Sequence, residues 1–143
     1  MKYLERIEYK GILLAIILRH EFKKEGIEFL TPENFTQQLG YMKRDKGYEI
    51  YPHVHNPVER KIFYTYEVLY IKSGSVRTDF YSEEKVYIKS VVLNKGDVIL
   101  LANGAHGFYM LEKSEIIEVK QGPYAGEDDK TRFDPISEDK IVY

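Results

Sequence analysis

From Gly11 onward, apolar and polar residues alternate in short runs that recur at close, even spacing. A period of two is the mark of strands whose two faces differ in burial. The pattern predicts strands over residues 12–19, 27–30, 35–42, 48–54, 62–72, 75–81, 85–93, 97–101, 108–111 and 115–121. Turn-forming clusters separate them, among them Thr31-Pro32-Glu33-Asn34, Arg44-Asp45-Lys46-Gly47, Lys72-Ser73-Gly74 and Asn94-Lys95-Gly96. No long amphipathic helical stretch interrupts the series, so the expected class is all-β, a sandwich or jelly roll. No repeat or low-complexity tract is visible. From Gly122 the chain turns polar and rich in turn residues, which marks 122–143 as an arm, either packed on the surface or closing as a lid.

A chain of 143 residues is expected to form one domain over 1–143, with the chemistry in a core of about 35–121. The net charge of −2 offers no basic surface for nucleic acid. Cysteine is absent, which excludes disulfides and thiolate metal sites and fits a reducing, cytoplasmic setting. The longest apolar run, from Gly11 to Leu18, is too short to cross a bilayer, and Met1 to Lys10 lacks the pattern of a signal peptide. A small barrel leaves strand edges open, so a homodimer is expected, with the 12–18 strand and the arm after Gly122 as candidate covers.

Three of the four histidines fall in two blocks that carry the candidate chemistry. The first, Gly47 to His55, reads G-x5-H-x-H; on a strand, His53 and His55 would share one face with Glu49 and Tyr51. The plain alternative buries Ile50 and Val54 and leaves both histidines in water. The second block, Gly96 to His106, is a strand, a glycine turn and a histidine. Between them, Glu67 to Gly74 reads E-x6-G, with Glu67, Leu69 and Ile71 on one strand face. Imidazole and carboxylate together suit a divalent ion, and a neutral imidazole also suits proton transfer near pH 7. Tyr51 is a candidate proton donor, and Gln37 or Gln38, with Glu49, a candidate contact for substrate hydroxyls. His20 lies outside every motif and is read as a surface or packing residue.

Together these blocks resemble the two signature motifs of the cupin superfamily, whose members fold as jelly-roll β-barrels (double-stranded β-helices). Gly47, His53 and His55 match the first motif, G-x5-H-x-H-x3,4-E-x6-G. Its carboxylate is open between Glu59, at the motif's distance from His55, and Glu67, at the motif's distance from Gly74. In the second motif, G-x5-P-x-G-x2-H-x3-N, Gly96 and Gly104 match. Ala102 stands at the proline, His106 comes one residue early and Met110 stands at the asparagine. The surrounding wording, YEVLYIKSGSVRTDFY and IEVKQGPYAGEDDKTRF, looks like small single-domain cupins associated with bacterial surface-polysaccharide loci.

The resemblance implies a divalent metal (Zn, Fe, Mn or Ni) held by His53, His55, Glu67 and His106. The substrate would be small and polar, a sugar or nucleotide sugar, and the reaction isomerase- or epimerase-like. Three other readings stay open. One is a metal-free nucleotide-sugar ketoisomerase using His53 and His55 as acid and base, with Tyr51 or Glu67 assisting. The others are a non-catalytic sugar- or metal-binding cupin and an iron-dependent dioxygenase.

Overall fold

The computed structural model describes residues 2–143 and forms two compact units. One comprises the chain up to Phe22 together with Tyr64–Tyr143, and the other Lys23–Phe63. Every strand pairing is antiparallel, and among the described residues the only helical elements are two short 3-10 turns, Gly126–Asp129 and Glu138–Lys140. The protein is therefore all-β. Among the described residues, no helix is long and apolar enough to cross a membrane.

The larger unit holds eight strands: β1 (Leu4–Tyr9), β2 (Ile12–Leu18), β5 (Glu67–Ser73), β6 (Ser75–Tyr81), β7 (Tyr87–Asn94), β8 (Val98–Leu101), β9 (Ala105–Met110) and β10 (Glu115–Lys120). They form a five-stranded sheet in the order β1-β2-β8-β5-β10 and a three-stranded sheet in the order β7-β6-β9. One core joins the inward residues of both sheets, with Ile17, Leu69, Ile71 and Ile99 from the first and Val76, Phe80 and Leu93 from the second. The arrangement is a β-sandwich, and its two sheets remain separate hydrogen-bonded sheets. Each such side chain, buried almost completely, contributes about 1.5–3 kcal/mol relative to an exposed one.

The apolar run at Ile12–Leu18 is an inner strand between β1 and β8, so it does not cover an open edge as its sequence suggested. Both of its faces are buried, Ile16 on one and Ile17 on the other, so the run is continuously apolar rather than alternating. The C-terminal arm binds the three-stranded sheet. Ser90 N–H donates to the Val142 carbonyl (2.7 Å), and Tyr81 Oη accepts from Ile136 N–H (3.0 Å). Beneath it lies a buried charge network. Arg77 donates to both oxygens of Asp79 (2.8 and 3.1 Å) and to Glu138 of the arm (2.8 Å), and Ser90 Oγ donates to Asp79 (2.5 Å). Hydrogen bonding to Asp79 holds the Arg77 guanidinium well above its ordinary range, against the opposing effect of burial.

The smaller unit carries one hairpin, β3 (Gly26–Phe29) paired with β4 (Gly40–Lys43). Residues 44–63 form no strand, so the expected strand at 48–54 is corrected. Pro52 and Pro57 lack the N–H a ladder needs, and each biases the residue before it toward an isolated extended conformation. The expected strand at 35–42 shrinks to its last residues because the Gln38 amide bonds the Pro32 and Phe35 carbonyls (2.9 and 2.7 Å) and winds the chain into a turn.

Candidate functional site

Glu67 opens β5, and the strand's alternation places it on the inward face with Leu69 and Ile71. It is 7% exposed. His106 lies second in β9, directly opposite Phe80 of β6, on the same face as Phe108, which packs against the core. The turn that delivers it depends on Gly104, whose φ is +72° and whose Cβ, if present, would lie 2.5 Å from the Tyr81 carbonyl oxygen. Glu67 thus comes from one sheet and His106 from the other, and they meet between them, with His106 Nε2 3.0 Å from Glu67 Oε2.

Electrostatics define this pair. The hydrogen bond from His106 holds the Glu67 carboxyl below the usual carboxylate range; burial opposes it, and Lys130 and Lys120 add smaller favourable charge. An ionised carboxylate only accepts hydrogen bonds, so Nε2 carries the proton and a neutral His106 presents Nδ1 as its basic nitrogen. The carboxylate fixes the ring's tautomer and its orientation. The imidazole remains 28% exposed, which leaves it a route to a ligand.

Other polar groups surround the pair. Lys120 stands directly across from Glu67 on β10, and Glu118, two residues earlier, shares its face. Residues 121–129 are tied alongside by Gln121 N–H to the Tyr66 carbonyl (2.9 Å) and Thr65 Oγ1 to Asp129 (2.8 Å). Thr78 of β6 is completely buried and lies opposite Phe108, diagonal to His106. Its Oγ1 has no hydrogen-bond partner among the described residues. That hydroxyl was invisible in the sequence, where Thr78 reads as one more strand-former.

The remaining expected site residues belong to the smaller unit. His53 and His55 lie side by side there, ring centroids 5.1 Å apart and nearly perpendicular, with His53 Nδ1 3.0 Å from the Tyr51 carbonyl oxygen. Both are exposed, as are Glu49, Tyr51 and Glu59, and so are Ile50 and Val54. The expectation that a strand would turn His53 and His55 inward is therefore corrected, and so is the alternative that would bury Ile50 and Val54. Gln38 is occupied with turn carbonyls and the Thr31 hydroxyl (2.7 Å), and Gln37 is half-buried with its amide oxygen unpartnered among the described residues.

For a divalent ion, the larger unit offers two donor sets. Glu67 Oε2 and His106 Nε2 stand 3.0 Å apart, the spacing of neighbouring ligands that each lie about 2.1 Å from one ion. The pair supplies two donors, and among the described residues no third His, Asp or Glu atom lies close enough to share an ion with both. The second set is His20, Glu21 and Asp97, whose donor atoms lie within 4.8 Å of one another. Asp97, however, already accepts from Arg19 Nη1 (2.8 Å) and from the backbone N–H groups of His20 and Asn94 (3.0 and 2.9 Å). It organises the β7–β8 turn, and the Arg19 guanidinium holds a cation's place beside it.

No protein-family model, no curated protein and no solved structure matches this chain.

Proposed function

We propose that this protein is a cupin-type jelly roll that performs isomerase- or epimerase-like proton transfer on a small polar, sugar-type substrate, with Glu67 and His106 as its acid–base pair. The observation that carries the reading is the 3.0 Å hydrogen bond between a nearly buried carboxylate and a partly open imidazole. Eight antiparallel strands in two facing sheets support the jelly roll, which is commonly built that way. In the reaction, His106 Nδ1 takes a proton from a carbon beside a carbonyl, and the electron pair moves onto the carbonyl oxygen. Glu67 stabilises the imidazolium, which then returns the proton to the opposite face of the same carbon or, where that carbon carries a hydroxyl whose proton passes to the enolate oxygen, to the former carbonyl carbon. Lys120 and Lys130 favour the enolate charge. These lysines suit a polar, hydroxylated ligand better than an apolar one.

A second reading is favoured by the same separation: Glu67 and His106 hold a divalent ion, which when bound supplies Lewis-acid polarisation of the substrate oxygen. In both readings Glu67 orients the site.

The test is incubation with a panel of keto sugars and nucleotide sugars in deuterated water, for the wild type, His106→Gln and Glu67→Gln. Solvent deuterium in the substrate, reduced about 10²–10⁴-fold in His106→Gln, is the expected result. Exchange unaffected by His106→Gln overturns the acid–base reading. Metal retained by the wild type and lost in His106→Ala selects the second reading. Saturable sugar binding without exchange leaves a carrier or sensor role.

A further inference from the structure

Strand β10 is the outer strand of the five-stranded sheet, paired only with β5. Gln121 N–H donates to the Tyr66 carbonyl (2.9 Å), continuing the register in which Lys120 faces Glu67. Antiparallel ladders alternate, so Ile117, Val119 and Gln121 turn their backbone groups toward β5, and Ile116, Glu118 and Lys120 turn theirs to the open edge. Those outward groups make no backbone hydrogen bond across that edge among the described residues. On the sheet's outer face, Ile117, Val119 and the adjacent Tyr70 form an uncovered apolar row, each at least 40% exposed. On the other face, Glu118 and Lys120 take part in no ion pair or side-chain hydrogen bond among the described residues, although Glu115 of the same strand is bonded to Lys72 and Ser73.

Open edges are templates for another strand, and a lone edge is commonly guarded by charge, proline or a bulge. Over 116–120 this edge has no proline, and its one lysine is offset by Glu118. By contrast, the edge strand β7 is already bonded by the arm through Ser90 and Val142.

We propose that β10 pairs with β10 of a second copy of this chain, antiparallel about a two-fold axis through Val119. Directly opposed residues must share a face, so a symmetric pairing can be centred only on a residue, and the choices within the strand's apolar and charged stretch are Ile117, Glu118 or Val119. Centring on Glu118 sets two carboxylates face to face. Centring on Ile117 puts Ile116 against Glu118 and leaves Lys120 opposite Ser114, beyond the strand. Centring on Val119 puts Glu118 of each copy opposite Lys120 of the other, Val119 against Val119 and Ile117 against Gln121. The Glu118–Lys120 pairs are also positions whose backbone groups point outward, so the register chosen by charge complementarity is compatible with the main-chain ladder. Lys120 also stands across from Glu67, so the interface borders the Glu67–His106 pair, and the test reads association rather than activity.

Sedimentation velocity on the full chain tests this with the wild type, Glu118→Lys, Lys120→Glu and an equimolar mixture of the two variants. Circular dichroism establishes that each variant keeps its strands. The wild type is expected to dimerise at micromolar concentration. Each variant alone is expected to dimerise at least about tenfold more weakly, because two attractive cross-strand pairs become repulsive. Mixing the variants restores both pairs with the charges exchanged and returns the dimer. A monomeric wild type overturns the proposal and leaves the edge to a foreign strand. A dimer indifferent to both substitutions also overturns it, as does a Glu118→Lys variant that recovers with wild type but not with Lys120→Glu.

Discussion

Thr78→Val is expected to stabilise this protein, against the usual direction of a core substitution. Thr78 is completely buried in β6, between Val76 and Phe80, and its Oγ1 bonds to nothing among the described residues. A buried hydroxyl without a partner costs about 1–3 kcal/mol by mutational measures. Valine has nearly the same shape, places a methyl where the hydroxyl stood, opens no cavity and keeps the β-branched preference for strands. For a chain of this length one kcal/mol moves Tm by about 4 °C, so a rise of roughly 4–12 °C is expected. Two controls fix the cause. Thr78→Ser keeps the hydroxyl and loses a methyl, and should fall by about 1 kcal/mol. Thr78→Ala removes both and should lie below the valine variant. Thermal unfolding followed by circular dichroism gives the order. A Tm for Thr78→Val below wild type would refute the reasoning, because it would mean the hydroxyl is bonded in solution. The same variant removes a polar atom diagonal to His106, so a stabilised protein with slower deuterium exchange would tie the strain to the site.

Two further outcomes follow from the charges. Arg77→Met leaves the Asp79 carboxylate buried with only Ser90 as a donor and should cost about 3–5 kcal/mol, whereas Glu138→Gln, which releases an exposed partner, should cost no more than about 1. Equal urea midpoints for the two variants would contradict the buried network. The lowered pKa of Glu67 contributes stability that is fully present above the unfolded value, about pH 4.3, and is lost as pH falls through the lower folded value. Acid unfolding monitored between pH 5 and 2 (roughly the window set by these values) should therefore show a loss of stability that is absent in His106→Ala, which has no side-chain donor; an unchanged acid limb in that variant would count against the hydrogen bond.

The all-β class was legible because alternation survives wherever a strand has one buried face. β6 spans Ser75–Tyr81, the bounds its pattern predicts, and Glu67, Leu69 and Ile71 share the inward face that their spacing demands. β1 was missed because Glu5, Arg6 and Glu8 dilute its apolar positions to Leu4, Ile7 and Tyr9, and only pairing with β2 makes it a strand. β9 begins at Ala105, earlier than residue 108, since the chain can extend as soon as the Gly104 turn is complete. What periodicity could not supply was the partnership of residues 39 apart in sequence: Glu67 and His106 meet only because two sheets face each other.

The histidine pair shows how a spacing argument depends on its premise. Residues i and i+2 share a face only on a strand, and a strand needs N–H donors that Pro52 and Pro57 do not have. The prolines were present in the same stretch as the motif, and they outweigh it: His53 and His55 end up exposed, on a segment that no ladder fixes. Glu67 argues in the opposite direction. A leucine there would extend the apolar row of Leu69 and Ile71 and avoid the cost of desolvating a carboxylate. Instead the chain buries an acid, satisfies it with an imidazole from the facing sheet and leaves that imidazole partly open. Local rules of strand packing are broken at this position, and such breaks are expected where a site must do chemistry. The burial of Glu67, more than any motif spacing, is why the functional reading rests on this pair.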